Sequence, residues 1–296
     1  NLISDGEHLK KYLKPDPKMK SNLEYLKRLT DRNRVKKNLD YFDMSLVLRL
    51  IQIKNGGLPD GDGGTVSLDH IVIDEAQDFG PVEFAIMMDA VSDKHQITIV
   101  GDVAQKILSA RKFIGWNKVV DCLGLEEDSI IQLEVSFRCT VPIMTLAHKV
   151  AGDPKKVEGR AGSVPEWKKV DSFVDLVEVL ADWSRSLLRT DPYKLVALIC
   201  RYPKQAMELK EEMEKYLPGE VRLGHRDQFS FEPGVLVTNI HQVKGLEFDS
   251  VALVEPDEEN YPAKREESRN MIYVGITRTQ EDLLLATIRP YSPVLF

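Results

Sequence analysis

The run His70-Ile71-Val72-Ile73-Asp74-Glu75-Ala76-Gln77-Asp78 passes from strand-forming apolar residues directly into two adjacent carboxylates. Open α/β sheets bind ligands beyond the carboxyl ends of their strands. Asp74 is therefore placed to hold Mg²⁺, and Glu75 to orient a water for attack on a phosphate. A strand that merely stops at a solvated acidic turn would present the same residues. A second run, Gln96-Ile97-Thr98-Ile99-Val100, ends at Gly101-Asp102, with Gln105 three residues further on. Between the two runs, Val82 to Ala90 has the apolar spacing of a short crossover helix, which predicts parallel neighbouring strands with both polar ends on one crevice. Gln105 can offer an amide to a γ-phosphate or to the attacking water, and Gly101 lets the backbone turn sharply.

Three more segments combine charge, glycine and aromatic residues: Glu134-Val135-Ser136-Phe137-Arg138-Cys139-Thr140, His241-Gln242-Val243-Lys244-Gly245-Leu246-Glu247-Phe248-Asp249, and Tyr273-Val274-Gly275-Ile276-Thr277-Arg278-Thr279. With the two acidic segments, and in the same order, they resemble motifs II to VI of superfamily 1 helicases of the UvrD/Rep type. The resemblance covers roughly residues 66 to 290, and its most specific parts are the Lys-Gly-Leu-Glu-Phe and Val-Gly-Ile-Thr-Arg runs. It implies a catalytic set of Glu75, Gln105, Arg138 and Arg278, with the two arginines as fingers whose delocalised charge matches a phosphoryl transition state. It further implies Phe137 stacked on adenine, Gly245 and Glu247 beside the nucleotide, and Asp74 on Mg²⁺. ATP and Mg²⁺ are the expected ligands, and nucleic acid, single-stranded DNA first, the expected partner. Taken singly, each arginine would read as a surface ion pair.

A phosphate cradle of the Gly-Lys-Ser/Thr kind is missing, since none of the 18 glycines is followed by lysine. Asn1 to Lys37 also supplies no strand to lead such a loop. The chain accordingly reads as the carboxyl-terminal part of a longer motor, inactive as an ATPase by itself.

The elements needed to position these groups form an α/β pattern: two RecA-like parallel-sheet motor domains, the first incomplete because its P-loop part is missing. The expected division is residues 1–140, a partial first domain with a helical amino-terminal segment, and residues 141–296, the second RecA-like domain without a 2B insertion. Helices are predicted for Asp43 to Ile53, Val141 to Val150, Phe173 to Leu188, Lys204 to Leu217 and Glu266 to Thr279. Strands are predicted for Leu195 to Cys200, Gly234 to Ile240, Ser250 to Glu255 and Asp282 to Ile288. The loop Asn55 to Gly64 holds five glycines, and its Asp60-Gly61-Asp62-Gly63 run lacks the glutamate a calcium loop requires at its twelfth position. The Glu266 helix goes against propensity at Val274, Gly275, Ile276 and Thr277 and rests on the resemblance.

Composition sets broad limits. Hydrophobic residues make up 43% and charged residues 29%, which describes a globular chain with ample core. Cys122, Cys139 and Cys200 lack CxxC spacing, which speaks against a disulfide framework or a zinc site and for a reducing, cytoplasmic setting. No apolar run reaches membrane-spanning length. The net charge of −7 is uneven, because residues 1–40 carry +5; that arm could follow phosphates or form a solvated helical face.

Departures from the family pattern bear on the nucleic-acid track. Leu108 and Ala110 stand where UvrD-like motors carry aromatics that stack on bases, leaving Phe113 or Trp116 as substitutes. Asn239 replaces a threonine before His241, and both are candidate nucleic-acid contacts. About 100 residues separate Arg138 from His241, enough for one α/β layer and too few for a 2B insertion. That compactness, with the helix Ser45 to Lys54 and the Ser-Phe-Arg-Cys-Thr run, is similar to the HelD-like branch. Two functions are therefore expected as alternatives: an ATP-driven DNA helicase or translocase, or an ATPase that remodels a protein partner such as RNA polymerase without unwinding duplex.

Overall fold

The computed structural model describes residues 28, 41–93, 96–102, 115–124, 130–133, 137–154, 156–225 and 229–296. Packing divides them into two compact units, one holding the described residues up to 74 together with 79–100, the other holding 75–78 together with those from 101 onward. The expected helical amino-terminal segment and the basic arm, but for residue 28, lie outside the described residues.

In the first unit, α1 (Tyr41–Asn55) packs on α2 (Pro81–Met88) through polar groups on an otherwise apolar pair. Ser45 Oγ donates to Glu83 at 2.7 Å, and buried Gln52 donates to the Ile86 carbonyl at 2.9 Å. Helix α2 starts with Pro81, whose missing amide costs nothing in a first turn, and Glu83 reaches back to accept from the Gly80 amide at 3.1 Å. Strands β1 (Ile71–Ile73) and β2 (Ile97–Ile99) pair in parallel, Ile71 opposite Ile97, as a helical crossover requires.

The second unit begins its chain path with α3 (Trp116–Leu123) and α4 (Val141–Ala151), followed by β3 (Glu166–Lys169), α5 (Phe173–Thr190), β4 (Leu195–Cys200) and α6 (Pro203–Tyr216). Then come β5 (Val221–Leu223), β6 (Gly234–Asn239), β7 (Phe248–Val254), α7 (Glu266–Thr277) and β8 (Thr279–Thr287). The six strands form one all-parallel sheet in the order β3-β8-β7-β4-β6-β5. Parallel sheets are covered on both faces, and central β4 shows it: Leu195, Ala197 and Ile199 join the core under α4 and α7, while Val196, Leu198 and Cys200 join the core under α5 and α6. That alternation is why the run reads as continuously apolar.

Strands β3 and β5 are the two edges and escape sequence patterning. Glu166-Trp167-Lys168-Lys169 is exposed throughout, and β5 is only three residues long. One poor helix former of α7 has a packing reason: a Cβ at Gly275 would lie 2.5 Å from Leu253 Cδ2, and glycine lets α7 settle closely on β7 without moving that side chain. Because β6 and β7 run the same way, the Lys-Gly-Leu-Glu-Phe segment leads into the amino end of β7, with Ile240 and Val243 buried on the return path and Gly245 left-handed at φ 76°. It sits at the strands' amino edge, beside the carboxyl end of α7.

Candidate active site

After β1 the backbone turns at Glu75, which holds φ 52°, a left-handed conformation that costs a non-glycine residue about 1 kcal/mol. A single 3₁₀ turn, Ala76–Asp78, follows, closed by the Asp78 amide on the Glu75 carbonyl at 2.9 Å. Gln77 is wholly buried. Its amide nitrogen donates to the Glu75 carboxylate, and its oxygen accepts from the Asp102 amide at 2.9 Å. Gly101 serves this approach by having no side chain, since a Cβ there would come within 2.6 Å of the Gln77 oxygen and 3.0 Å of the Ala76 nitrogen. The sharp-turn role expected for Gly101 is therefore replaced by a space requirement.

Lys244 completes the acidic side. Its ammonium binds Asp78 and lies 3.5 Å from Glu75 Oε2, with 17% of its side chain exposed. Sequence reading passed over it, although a lysine beside Gly245 is the only cation in that run and was the available signal.

The arginine side lies at the amino edge of the sheet. Arg138 Nε meets Glu247 Oε1 at 2.6 Å, and Gln280 donates to the same carboxylate at 3.1 Å. Arg278 caps the carboxyl end of α7 and is only 1% exposed. Its Nε donates to the Val274 carbonyl at 3.2 Å, Nη1 to the Leu246 carbonyl at 3.2 Å and Nη2 to Thr277 Oγ1 at 3.3 Å. Burial first, then the Arg138 charge, lowers its pKa, while the Glu75, Cys139 and Glu247 charges oppose the shift. A carboxylate from residue 75, a guanidinium from 138 and another from 278 thus share one electrostatic field. Cys139, beside them, is pushed up to about 11, chiefly by burial. Phe137 leaves 87% of its surface exposed, available to a flat ring.

Asp74 ends β1 with its side chain exposed, and no cluster of three or more His, Cys, Asp or Glu residues suited to a metal occurs among the described residues. That donor set fits Mg²⁺, which takes one or two carboxylates and completes its shell with phosphate oxygens and water. Gln105 lies outside the described residues, as do Leu108, Ala110 and Phe113; Trp116 opens α3 half-buried.

The two nucleic-acid candidates stand at the carboxyl edge of the sheet. Asn239 is 2% exposed, and its side-chain oxygen accepts from the His241 amide at 3.2 Å, a local turn that occupies it. His241 Nε2 faces Arg201 Nη1 at 3.0 Å. Arg201, at the end of β4, lies over the Tyr202 ring at 4.7 Å and the Tyr261 ring at 5.8 Å. Burial and the Arg201 charge hold the His241 pKa below its usual 6.5, against a weaker pull from Glu267. A lowered folded-state pKa favours folding above the unfolded value, and that contribution is lost as pH falls through the folded one. Titration of His241 by NMR should accordingly give a midpoint below 6.5, and a midpoint above it would remove the Arg201 contact.

Two helicase family models match separate parts of the chain. The UvrD/REP helicase N-terminal domain family matches residues 3–112, and the UvrD-like helicase C-terminal domain family matches residues 219–290. The ATP-dependent DNA helicase Rep of Buchnera aphidicola subsp. Schizaphis graminum is 24% identical over 180 residues, covering 58% of this chain and 24% of that protein. The chain thus spans about a quarter of the length of that curated relative. Among solved structures, the C-terminal domain of a possible DNA helicase from Lactobacillus plantarum WCFS1 aligns at 25% identity and a TM-score of 0.46, over 54% of this chain and 92% of that one.

Proposed function

Because the chain belongs to the UvrD/Rep type of superfamily 1 helicases, we propose that it carries the hydrolysis half of an ATP-dependent DNA motor, in which closure of two RecA-like domains drives movement along single-stranded DNA. The observation that carries this reading is the 244–247 turn: Lys244 lies 3.5 Å from Glu75, the Leu246 carbonyl accepts from Arg278 at 3.2 Å, and Glu247 meets Arg138 at 2.6 Å. In this reading the functional boundary falls near residue 140, between a partial first domain and the six-stranded second one.

The roles follow from chemistry. Asp74 would hold Mg²⁺, which would offset the negative charge of the triphosphate. Glu75 accepts a proton from the attacking water. Arg138 and Arg278 balance charge on the equatorial oxygens, and Gln105 orients the water or reads the γ-phosphate. Phe137 stacks on adenine, while Gly245 and Glu247 border the nucleotide. Asn239 shapes the turn that presents His241 to the strand. Lys244, already paired with both acidic residues, is positioned to exchange those carboxylates for phosphate oxygens when nucleotide enters.

Steady-state ATPase of the full-length protein tests this: turnover should rise on adding single-stranded DNA, and a rate indifferent to DNA would overturn it. One observation favours a second reading. Residues 141–239 are taken up by the second sheet and its covering helices, with no inserted domain among the described residues. An ATPase of the HelD-like kind, remodelling a partner such as RNA polymerase without unwinding duplex, would show stimulation by that protein and none by DNA. In either case these 296 residues alone should hydrolyse ATP negligibly, for want of a Gly-Lys-Ser/Thr cradle. Robust turnover by the purified 296-residue chain would refute that.

A further inference from the structure

A part-buried chain of hydrogen bonds links the two sides of the candidate site. The Glu75 carboxylate accepts from Gln77, the Gln77 oxygen accepts from the Asp102 amide, and the Asp102 carboxylate accepts from the Tyr273 hydroxyl at 3.1 Å. Tyr273 is 5% exposed and stands on α7, five residues before Arg278, among the apolar side chains under the sheet. Such a placement is unusual for a phenol unless its hydroxyl has a partner. Here that partner is a carboxylate at the end of a different segment. Gln77, also buried, has both ends of its amide engaged. Gly101 is kept bare so that the Asp102 amide can reach it. Three positions are thus adapted to one connection.

We propose that Tyr273, through Asp102 and Gln77, is a positioning residue that sets Glu75 and the Arg278 helix in mutual register for hydrolysis. The proposal rests on the ATPase reading given above and deepens it by assigning the link between its base and its finger. Hydrogen-bonded networks of this kind fix the relative geometry of their members. A displaced Glu75 still permits nucleotide to bind but misaligns the water, since a shift of about 1 Å can lower a rate roughly 10²-fold.

The test uses the full-length protein with Tyr273→Phe, which deletes one hydroxyl and keeps the ring in its core. Expected is a kcat reduced roughly 10-fold or more with KM for ATP unchanged, nucleotide affinity by fluorescence titration unchanged, and a melting temperature close to that of the parent. Asp102→Asn, whose amide oxygen can still accept from the phenol, should retain most of the rate, whereas Asp102→Ala should match Tyr273→Phe. Equal kcat in Tyr273→Phe and the parent overturns the relay, as does a rate loss that tracks loss of melting temperature. Absence of ATPase in the parent itself would instead overturn the underlying functional reading.

Discussion

Glu75→Gln in the full-length protein should abolish measurable turnover while nucleotide still binds with parental affinity. Glutamine keeps the size of the side chain and can still accept from Gln77. It cannot take a proton from water, and removing a positioned general base costs roughly 10²–10⁴-fold in rate. The structure adds a second consequence. Glu75 is one of two carboxylates around Lys244 and one of the charges that favour the protonated Arg278 guanidinium. The substitution leaves Lys244 with Asp78, so the turn should hold and the melting temperature should change little. Titration with a fluorescent ATP analogue, alongside steady-state ATPase, separates the effects. Loss of binding together with turnover would make Glu75 a structural residue of the turn.

What sequence could show of this site depended on whether a residue's role lies in its own type or in its neighbours. The strand end before Asp74 and Glu75 is legible because an apolar run stopping at two adjacent acids is local to one segment, and β1 stops at Ile73. Strands β4, β6 and β7 are legible because burial on both faces forces a continuous apolar run. Edge strands β3 and β5 carry no such constraint and left no pattern. Gly101 and Gly275 were visible as glycines, but their reason is the approach of Gln77 and of Leu253, residues distant in sequence or in another element. Lys244 and Tyr273 were hidden for the same reason: each acquires meaning only from a partner more than 160 positions away. The edge on which Glu247 lies also required topology, since direction within a sheet is not written in any one segment.

Arg278→Ala should slow hydrolysis by roughly 10³-fold or more, the magnitude associated with loss of an arginine that balances transition-state charge. It should also lower the melting temperature, which a solvent-exposed finger would not do. Arg278 has the largest of the fully buried side chains among the described residues, and it donates to the carbonyls of Val274 and Leu246. Truncation leaves a cavity and removes the donor to the Leu246 carbonyl, at about 1–3 kcal/mol for a buried acceptor left unsatisfied, while the Val274 carbonyl keeps the Arg278 backbone amide and Thr277 Oγ1. The two losses can be separated by measuring kcat well below the variant's melting temperature and by comparing Arg278→Lys. Lysine restores a positive charge but lacks the planar fork that spans the two carbonyls. If charge alone matters, Arg278→Lys should recover much of the rate; if the fork fixes α7 against the Leu246 turn, it should recover little while regaining part of the stability. A parental rate in Arg278→Ala would remove this arginine from the chemistry and leave it as the cap of α7. Burial argues for both roles at once: a guanidinium tied to the α7 and Leu246 carbonyls can deliver its charge only by moving with that helix, so any motion of α7 is also a change in the field at Glu75.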